Sequence, residues 1–186
     1  QIDADRHLVP IDPEQAPERS RQPDSLLWLD VEGPDRSDRA AWLDRLGIGG
    51  LARRLCLEFG DRPGLYPLKD EIVLVIPLLS EASGEPEVQH LTCLCRQGLL
   101  LTLHERELAT DDRLSEIAYA DAWLSERSIP ALLSAVLIDL SMDNLRLTGD
   151  LRSGVIALEE RMDQAPNTVQ AQDILALGAD VLTLAA

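Results

Sequence analysis

The stretch from Glu71 to His104 constrains the fold most, because it packs three strand-length apolar runs together with almost no chain between them. Glu71 to Leu79 contains the unbroken Ile72-Val73-Leu74-Val75-Ile76 run. Glu87 to Arg96 alternates His90, Thr92 and Leu94 on one face with Leu91, Cys93 and Cys95 on the other, and Leu99 to His104 follows the tight Gln97-Gly98 pair. Connections as short as Gln97-Gly98 and Gly84-Glu85-Pro86 join antiparallel neighbours, since a parallel pair needs a crossover of a dozen residues or more. An antiparallel meander is therefore expected, with the continuous Ile72–Ile76 run as its central strand. Upstream, Leu26 to Val31 is another compact apolar run, closed by Glu32-Gly33-Pro34, and reads as a strand ending in a turn. Ser37 is placed to cap a helix running to about Leu46, with Trp42, Leu43 and Leu46 inward and Gly47 as its stop. A second short helix, Leu51 to Glu58, runs into Gly60-Asp61-Arg62-Pro63-Gly64.

After Glu107 helical material resumes past Leu114, Ile117 and Trp123, and from Pro130 the apolar period becomes that of a long helix reaching about Gln164. Leu133, Leu137, Leu140, Leu147, Leu151, Val155, Leu158 and Met162 recur at steps of mainly three and four, with Asn144 filling the gap, as on a heptad seam. Beyond Ala165-Pro166-Asn167, Thr168 is expected to cap a further helix carrying Ile174, Leu177, Val181 and Leu184 in the same rhythm. The pattern predicts an α+β chain of α/β/α layers: a mainly antiparallel or mixed sheet flanked by helices, then a long acidic antiparallel helical hairpin. Residues 1–25, with four prolines, form a partly ordered lead-in, 26–128 the sheet domain and 129–186 the hairpin. The last helix stops at Ala186 without Gly, Pro or a basic turn, so the chain is expected to be cut from something longer.

Charge narrows the partners. With 33 acidic against 17 basic side chains the formal charge is −16, which repels phosphate backbones and anionic lipid headgroups. One Phe, two Tyr and three Trp leave few platforms for stacking on bases. Nucleic-acid binding is excluded as a function class, and divalent cations become candidate partners. The odd set Cys56, Cys93 and Cys95 points to free thiols in a reducing compartment, and no apolar run approaches the ~20 residues that span a bilayer.

No nucleophile elbow, phosphate loop, dinucleotide fingerprint or CxxC pair is present, and the histidines His7, His90 and His104 lack zinc-protease spacing. Asp30 and Glu32 lie one strand repeat apart at the mouth of a turn. A small hydrolase using His104 and nearby acids is a minor reading, and no enzymatic activity is expected. Asp139 and Asp143 carry more promise as metal ligands. Their i,i+4 spacing puts both on one helix face, where as exposed acids they repel mildly unless a cation sits between them. A hard cation takes several oxygen ligands, so a partner helix or subunit must complete such a site.

Several phrases, in order, resemble the cytoplasmic N-terminal domain of CorA-type divalent-cation transporters, which include magnesium/cobalt and zinc members. Leu27-Trp28-Leu29-Asp30-Val31-Glu32-Gly33-Pro34-Asp35 is similar to the family's first strand, Arg62-Pro63 to the pair before its meander, and Leu100-Leu101-Thr102-Leu103-His104-Glu105-Arg106 to its last strand. Leu132 to Asn144 and Leu158-Glu159-Glu160-Arg161-Met162-Asp163 resemble its acidic hairpin. The resemblance covers residues 26–186. It implies an α/β/α regulatory or funnel domain on the cytoplasmic side of the inner or plasma membrane, homopentameric in the intact protein. It implies Mg²⁺, Co²⁺ or Zn²⁺ as the ion, no required cofactor, and no direct membrane contact for this piece. The family's Gly-Met-Asn pore motif, stalk and membrane helices are not in this sequence, so the piece is expected not to conduct. Magnesium-sensing members carry a Glu-Asp pair where Cys56-Leu57 stands here, and Glu58 matches it only with a shift of register, a departure that leans toward a divergent or zinc-type member. The reading from another class is a soluble scaffold whose heptad hairpin pairs with a partner.

Overall fold

The structure is a computed structural model that describes residues 1, 9–22, 24–33, 35–58, 63–82, 85–105 and 126–185, with side chains at 79–82, 85–87, 143 and 179–185 left undescribed. The helical stretch expected past Leu114, Ile117 and Trp123 lies outside the described residues. Five strands form one mixed sheet: β1 Leu27–Glu32, β2 Gly64–Pro67, β3 Glu71–Ala82, β4 Glu85–Arg96 and β5 Leu99–His104, in the order β1-β5-β4-β3-β2. β2 runs antiparallel to β3 and β4 antiparallel to β5, whereas β1 joins the outer side of β5 in parallel, Leu27 opposite Leu99 and Glu32 opposite His104.

The Ile72–Ile76 run is therefore not the centre of the sheet. The middle strand is β4, and β5 is the strand buried at every position. β3 lies next to the edge because the four-residue β2, too short to stand out as a run in the sequence, pairs along its outer side. Its burial alternates: Val73 and Val75 enter the core while Ile72 stays 44% exposed.

Strand periodicity sorts the side chains onto two faces. On one, Leu27, Val31, Val73, Val75, Leu94, Leu99, Leu101 and Leu103 join Leu43, Leu46, Ile48, Ala52 and Cys56 in a single core. The helices over this face are α2 Arg36–Leu46 and α3 Gly50–Leu57. On the other, Leu91, Cys93, Leu100, Thr102 and His104 are also buried, as the register of Cys93 opposite Thr102 requires. The lead-in contributes as well. A 3₁₀ turn at Pro13–Gln15 leads into α1, Ala16–Arg19, and Ala16 is fully buried in the core.

Capping differs from expectation at one end of α2 and agrees at the other. Asp35, not Ser37, caps the start: its carboxylate accepts the Ser37 N–H at 2.8 Å and the Ser37 hydroxyl at 2.9 Å. A carboxylate at this position meets the helix's positive end. At the far end Gly47 is left-handed (φ 72°), and the Gly47 and Ile48 N–H groups donate to Asp44 and Leu43. This pairing satisfies two of the helix's terminal carbonyls.

The described chain forms two compact units, residues 1–77 with 89–139, and 78–88 with 140–186. The 36-residue helix α4, Ile129–Gln164, contributes to both. Its first turns bury Ile129, Leu132 and Val136, in place of the expected Leu133 and Leu137, which are only partly buried. A straight helix drifts from a strict 3.5 repeat, so one seam cannot describe its whole length. Leu140 and Leu147 are buried, Leu151, Val155 and Leu158 partly so, and Met162 is 47% exposed.

In the second unit a 3₁₀ turn at Pro166–Thr168 precedes α5, Ala171–Ala185. The two helices run antiparallel: Arg161 pairs with Asp173 at 2.9 Å near the turn, and farther along Leu177 Cδ1 lies 3.4 Å from where a Gly154 side chain would begin. Thr168 is not the cap, because its hydroxyl donates back to the Ala165 carbonyl. Asp173 accepts the Gln170 N–H instead, which together with Arg161 lowers its pKa below the ordinary 3.8. Of the expected α5 seam, Leu177 is partly buried and Ile174 is 47% exposed.

Candidate functional site

The chemistry-bearing residues gather where the two parallel strands end. Asp30 stands opposite Thr102 and Glu32 opposite His104. Trp28, Asp30, Thr102 and His104 therefore share a face and form a chain of polar contacts. The Trp28 indole N–H donates to Thr102 Oγ1 at 2.9 Å, the Thr102 hydroxyl donates to Asp30 Oδ1, and His104 Nε2 lies 2.9 Å from Asp30 Oδ2. His104 is fully buried, and the Asp30 side chain is 32% exposed.

This arrangement is a staple between strands far apart in sequence. The Thr102 hydroxyl is held by the carboxylate, and the imidazole approaches the same carboxylate from its other oxygen. Glu32 stays exposed. Next to the staple, Arg39 is 4% exposed and donates to the Gly33 carbonyl at 2.8 Å, tying the start of α2 to the end of β1.

The three cysteines are free. Burial raises the Cys56 thiol to about 12 and the Cys95 thiol to about 11, and pushes Cys93 up as well. All three stay protonated near neutrality, unlike the thiolates that bind soft metals. Cys56 and Leu57 are core residues of α3, 0% and 7% exposed, and Glu58, directly after the helix, is exposed. Position 56 supplies a hydrophobic contact to the core.

Asp139 on α4 is only 8% exposed, so the reading of two solvated acids does not describe it. The Asp143 side chain lies outside the described residues. Among the described residues, no group of three or more His, Cys, Asp or Glu side chains is placed to hold a metal ion, and no helix is long and apolar enough to cross a membrane. Asp30–His104 was hidden from sequence reasoning, its partners being 74 residues apart. The one available signal was polar residues at matching positions of two strand runs.

This fold recurs in known proteins. A family model described as CorA-like Mg²⁺ transporter protein matches residues 23–186. No curated protein matches the chain. Among solved structures it is similar to the complete CorA magnesium transporter of Methanocaldococcus jannaschii, with 18% identity and TM-score 0.67, covering 86% of this chain and 50% of that one. The full-length CmaX protein gives 18% identity and TM-score 0.71 over 88% and 51%. The ZntB cytoplasmic domain from Vibrio parahaemolyticus RIMD 2210633 gives 16% and 0.58 over 84% and 62%. The chain thus spans about half the length of the two full-length proteins. At such identities the structures establish a common fold, and the match across residues 23–186 establishes kinship: this chain belongs to the CorA-like Mg²⁺ transporter family.

Proposed function

We propose that the chain is the cytoplasmic funnel or regulatory domain of a CorA-like divalent-cation transporter, itself non-conducting, and that the intact protein is a homopentamer in the inner or plasma membrane. The observation carrying this reading is the family match over residues 23–186, which falls on the fold shared with the soluble domain of CorA from Methanocaldococcus jannaschii. The ion is Mg²⁺, Co²⁺ or Zn²⁺, as cargo or regulator, and no resident cofactor is needed. Asp139 and Asp143 are the proposed ligands from this chain, completed by oxygen donors of another helix or subunit. The low exposure of Asp139 (8%) supports it, because a buried carboxylate gains more from a cation than a solvated one.

Two measurements test this. The parent gene read past Ala186 should encode two apolar stretches of about 20 residues with Gly-Met-Asn near them, and a stop codon there ends the proposal. Calorimetric titration with Mg²⁺ and with Zn²⁺ should give saturable heat that Asp139→Asn and Asp143→Asn each reduce. Heat unchanged in both variants removes the two acids from the site while leaving the transporter reading standing.

A second reading, a scaffold that pairs through its helical hairpin, has one observation in its favour: Met142, Leu145 and Leu175 of the second unit are 57%, 66% and 72% exposed. Sedimentation as a monomer at all concentrations, with and without metal, weighs against it.

A further inference from the structure

A hollow of about 640 Å³ opens at one end of the sheet unit, and its lining includes none of Trp28, Asp30, Thr102 and His104. Three connections converge on it: Pro67–Ile72 linking β2 to β3, Cys95–Gly98 at the end of β4, and Arg127–Pro130 at the start of α4. Hydrogen bonds within the chain hold these walls. The Leu68 N–H donates to the Glu71 carbonyl at 2.8 Å, and the Leu27 N–H to the Gly98 carbonyl at 2.8 Å. A wall ordered in advance reduces the entropy lost on binding, and the volume falls within the roughly 300–1,000 Å³ of small-molecule sites.

The charges around the hollow are already engaged. Strand alternation puts Glu71 and Arg96 on the core side of the sheet with Val73 and Leu94. There Arg96 donates to the Leu46 carbonyl at 2.8 Å and lies 3.9 Å from Glu71. Lys69 and Asp70 pair at 4.0 Å with side chains 93% and 80% exposed, so they stand in water at the rim. Arg127 donates to the Asp24 carbonyl at 2.9 Å. The one hydroxyl of the lining is used as well: Ser128 Oγ donates to Glu126 at 2.6 Å and accepts the Ala131 N–H at 3.2 Å. On the other face of the sheet Ile72 and Cys95 line the hollow, joined by Leu26 and Ile129. An ionic ligand would leave water for a wall that offers it no spare counter-charge. An anion would also meet the field of a chain of formal charge −16. An uncharged apolar ligand faces neither cost and gains by leaving water.

We propose that this hollow binds an uncharged aliphatic molecule of medium chain length, its chain against Leu26, Ile72 and Ile129 and any hydroxyl at the open mouth. The inference does not rest on the transporter reading, since it uses only residues of the sheet unit.

The chain carries its own reporter. Cys95 lines the hollow and is partly exposed, whereas Cys56 and Cys93 are fully buried. Iodoacetamide labelling at mildly alkaline pH, followed by intact mass, therefore reads access through one thiol. 1-Octanol and 1-decanol, kept below their solubility limits, should slow labelling saturably. From 1-hexanol to 1-decanol the half-protecting concentration should fall roughly two- to fourfold per methylene, the increment for a chain leaving water. Decanoate, with the same body and a charge, should need about tenfold more. Ile72→Glu puts a carboxylate into the apolar wall and should abolish protection. Ile72→Trp fills the hollow and should slow labelling by itself, with little further effect of 1-decanol. Ile72 is 44% exposed, so both variants should keep the wild-type melting curve, and the Trp variant decides if the Glu variant does not. Labelling that no alkanol slows overturns the proposal. So do protection that ignores chain length, decanoate protecting as well as 1-decanol, and wild-type protection in a folded Ile72 variant.

Discussion

Strand β5 and the far half of α4 both carry regular leucine signals, yet they end in opposite environments. Every residue of β5 is buried, whereas no residue of α4 after Leu147 is. In the sheet unit the core joins strands and helices distant in sequence, and even polar groups, Thr102 and His104, are enclosed at 1% and 0% exposure. In the hairpin unit the described contacts between the two helices are close in sequence: the Arg161–Asp173 pair, the approach of Leu177 to Gly154, and the Asp173 carboxylate on the turn. The sheet unit is therefore intolerant of local change, and the hairpin is governed by helix propensity and surface electrostatics.

A single type of substitution tests this contrast most sharply. Gly98 is left-handed (φ 77°), and a Cβ there would lie 2.7 Å from the Ser25 carbonyl oxygen. Gly98→Ala should cost about 3 kcal/mol, combining backbone strain with a clash against main chain that cannot swing away. Denaturant titration would show it, and a loss under about 1 kcal/mol would break the claim that this turn is rigid. Asp30→Ala comes next. It removes the acceptor of the Thr102 hydroxyl and the carboxylate beside His104 Nε2, at about 2 kcal/mol, and should raise hydrogen exchange in β1 and β5 first.

The hairpin should respond with the other sign. Gly154→Ala places a methyl 3.4 Å from Leu177 Cδ1, an ordinary contact with a flexible side chain, and replaces a mid-helix glycine. Exchange in α4 and α5 should slow by up to about 1 kcal/mol of added helix stability. Smallest is Arg161→Ala, which removes an exposed pair with Asp173 and should cost about 0.5 kcal/mol or less. The same carboxylate gives the unit its acid dependence. Because the folded pKa of Asp173 is lowered below 3.8, its contribution is complete above that pH and is lost as the pH falls through the lowered value. Helicity of the hairpin followed by circular dichroism between pH 5 and pH 2, in wild type and Asp173→Asn, checks it.

What the sequence revealed follows the same division. Local signals were legible: the apolar runs of β3, β4 and β5, the Gly47 stop of α2, and the extent of α4 from Ile129 to Gln164. What escaped was long-range or compensated. β2 has only four residues and its burial alternates with exposed Leu65, so no apolar run marked it. The Ile72–Ile76 run looked doubly buried because periodicity cannot report that a strand next to the sheet edge leaves one face partly open. Asp35 displaced Ser37 as the cap because both side chains suit the role and only backbone geometry chooses. The Asp30–Thr102–His104 staple depended on a parallel pairing that no turn signal encodes, and the burial of Asp139 on the phase of a helix drifting off its heptad.

The parallel seat of β1 also bears on synthesis. Asp30 and Thr102 face each other across 72 residues of chain, so β1 leaves the ribosome well before its partner β5. At roughly 5–20 residues per second it waits several seconds with its pairing edge open, while the meander of β3, β4 and β5 can close as soon as each turn is made. β1 is thus an added edge, and its addition is the step at which the growing sheet is most open to pairing with the wrong chain.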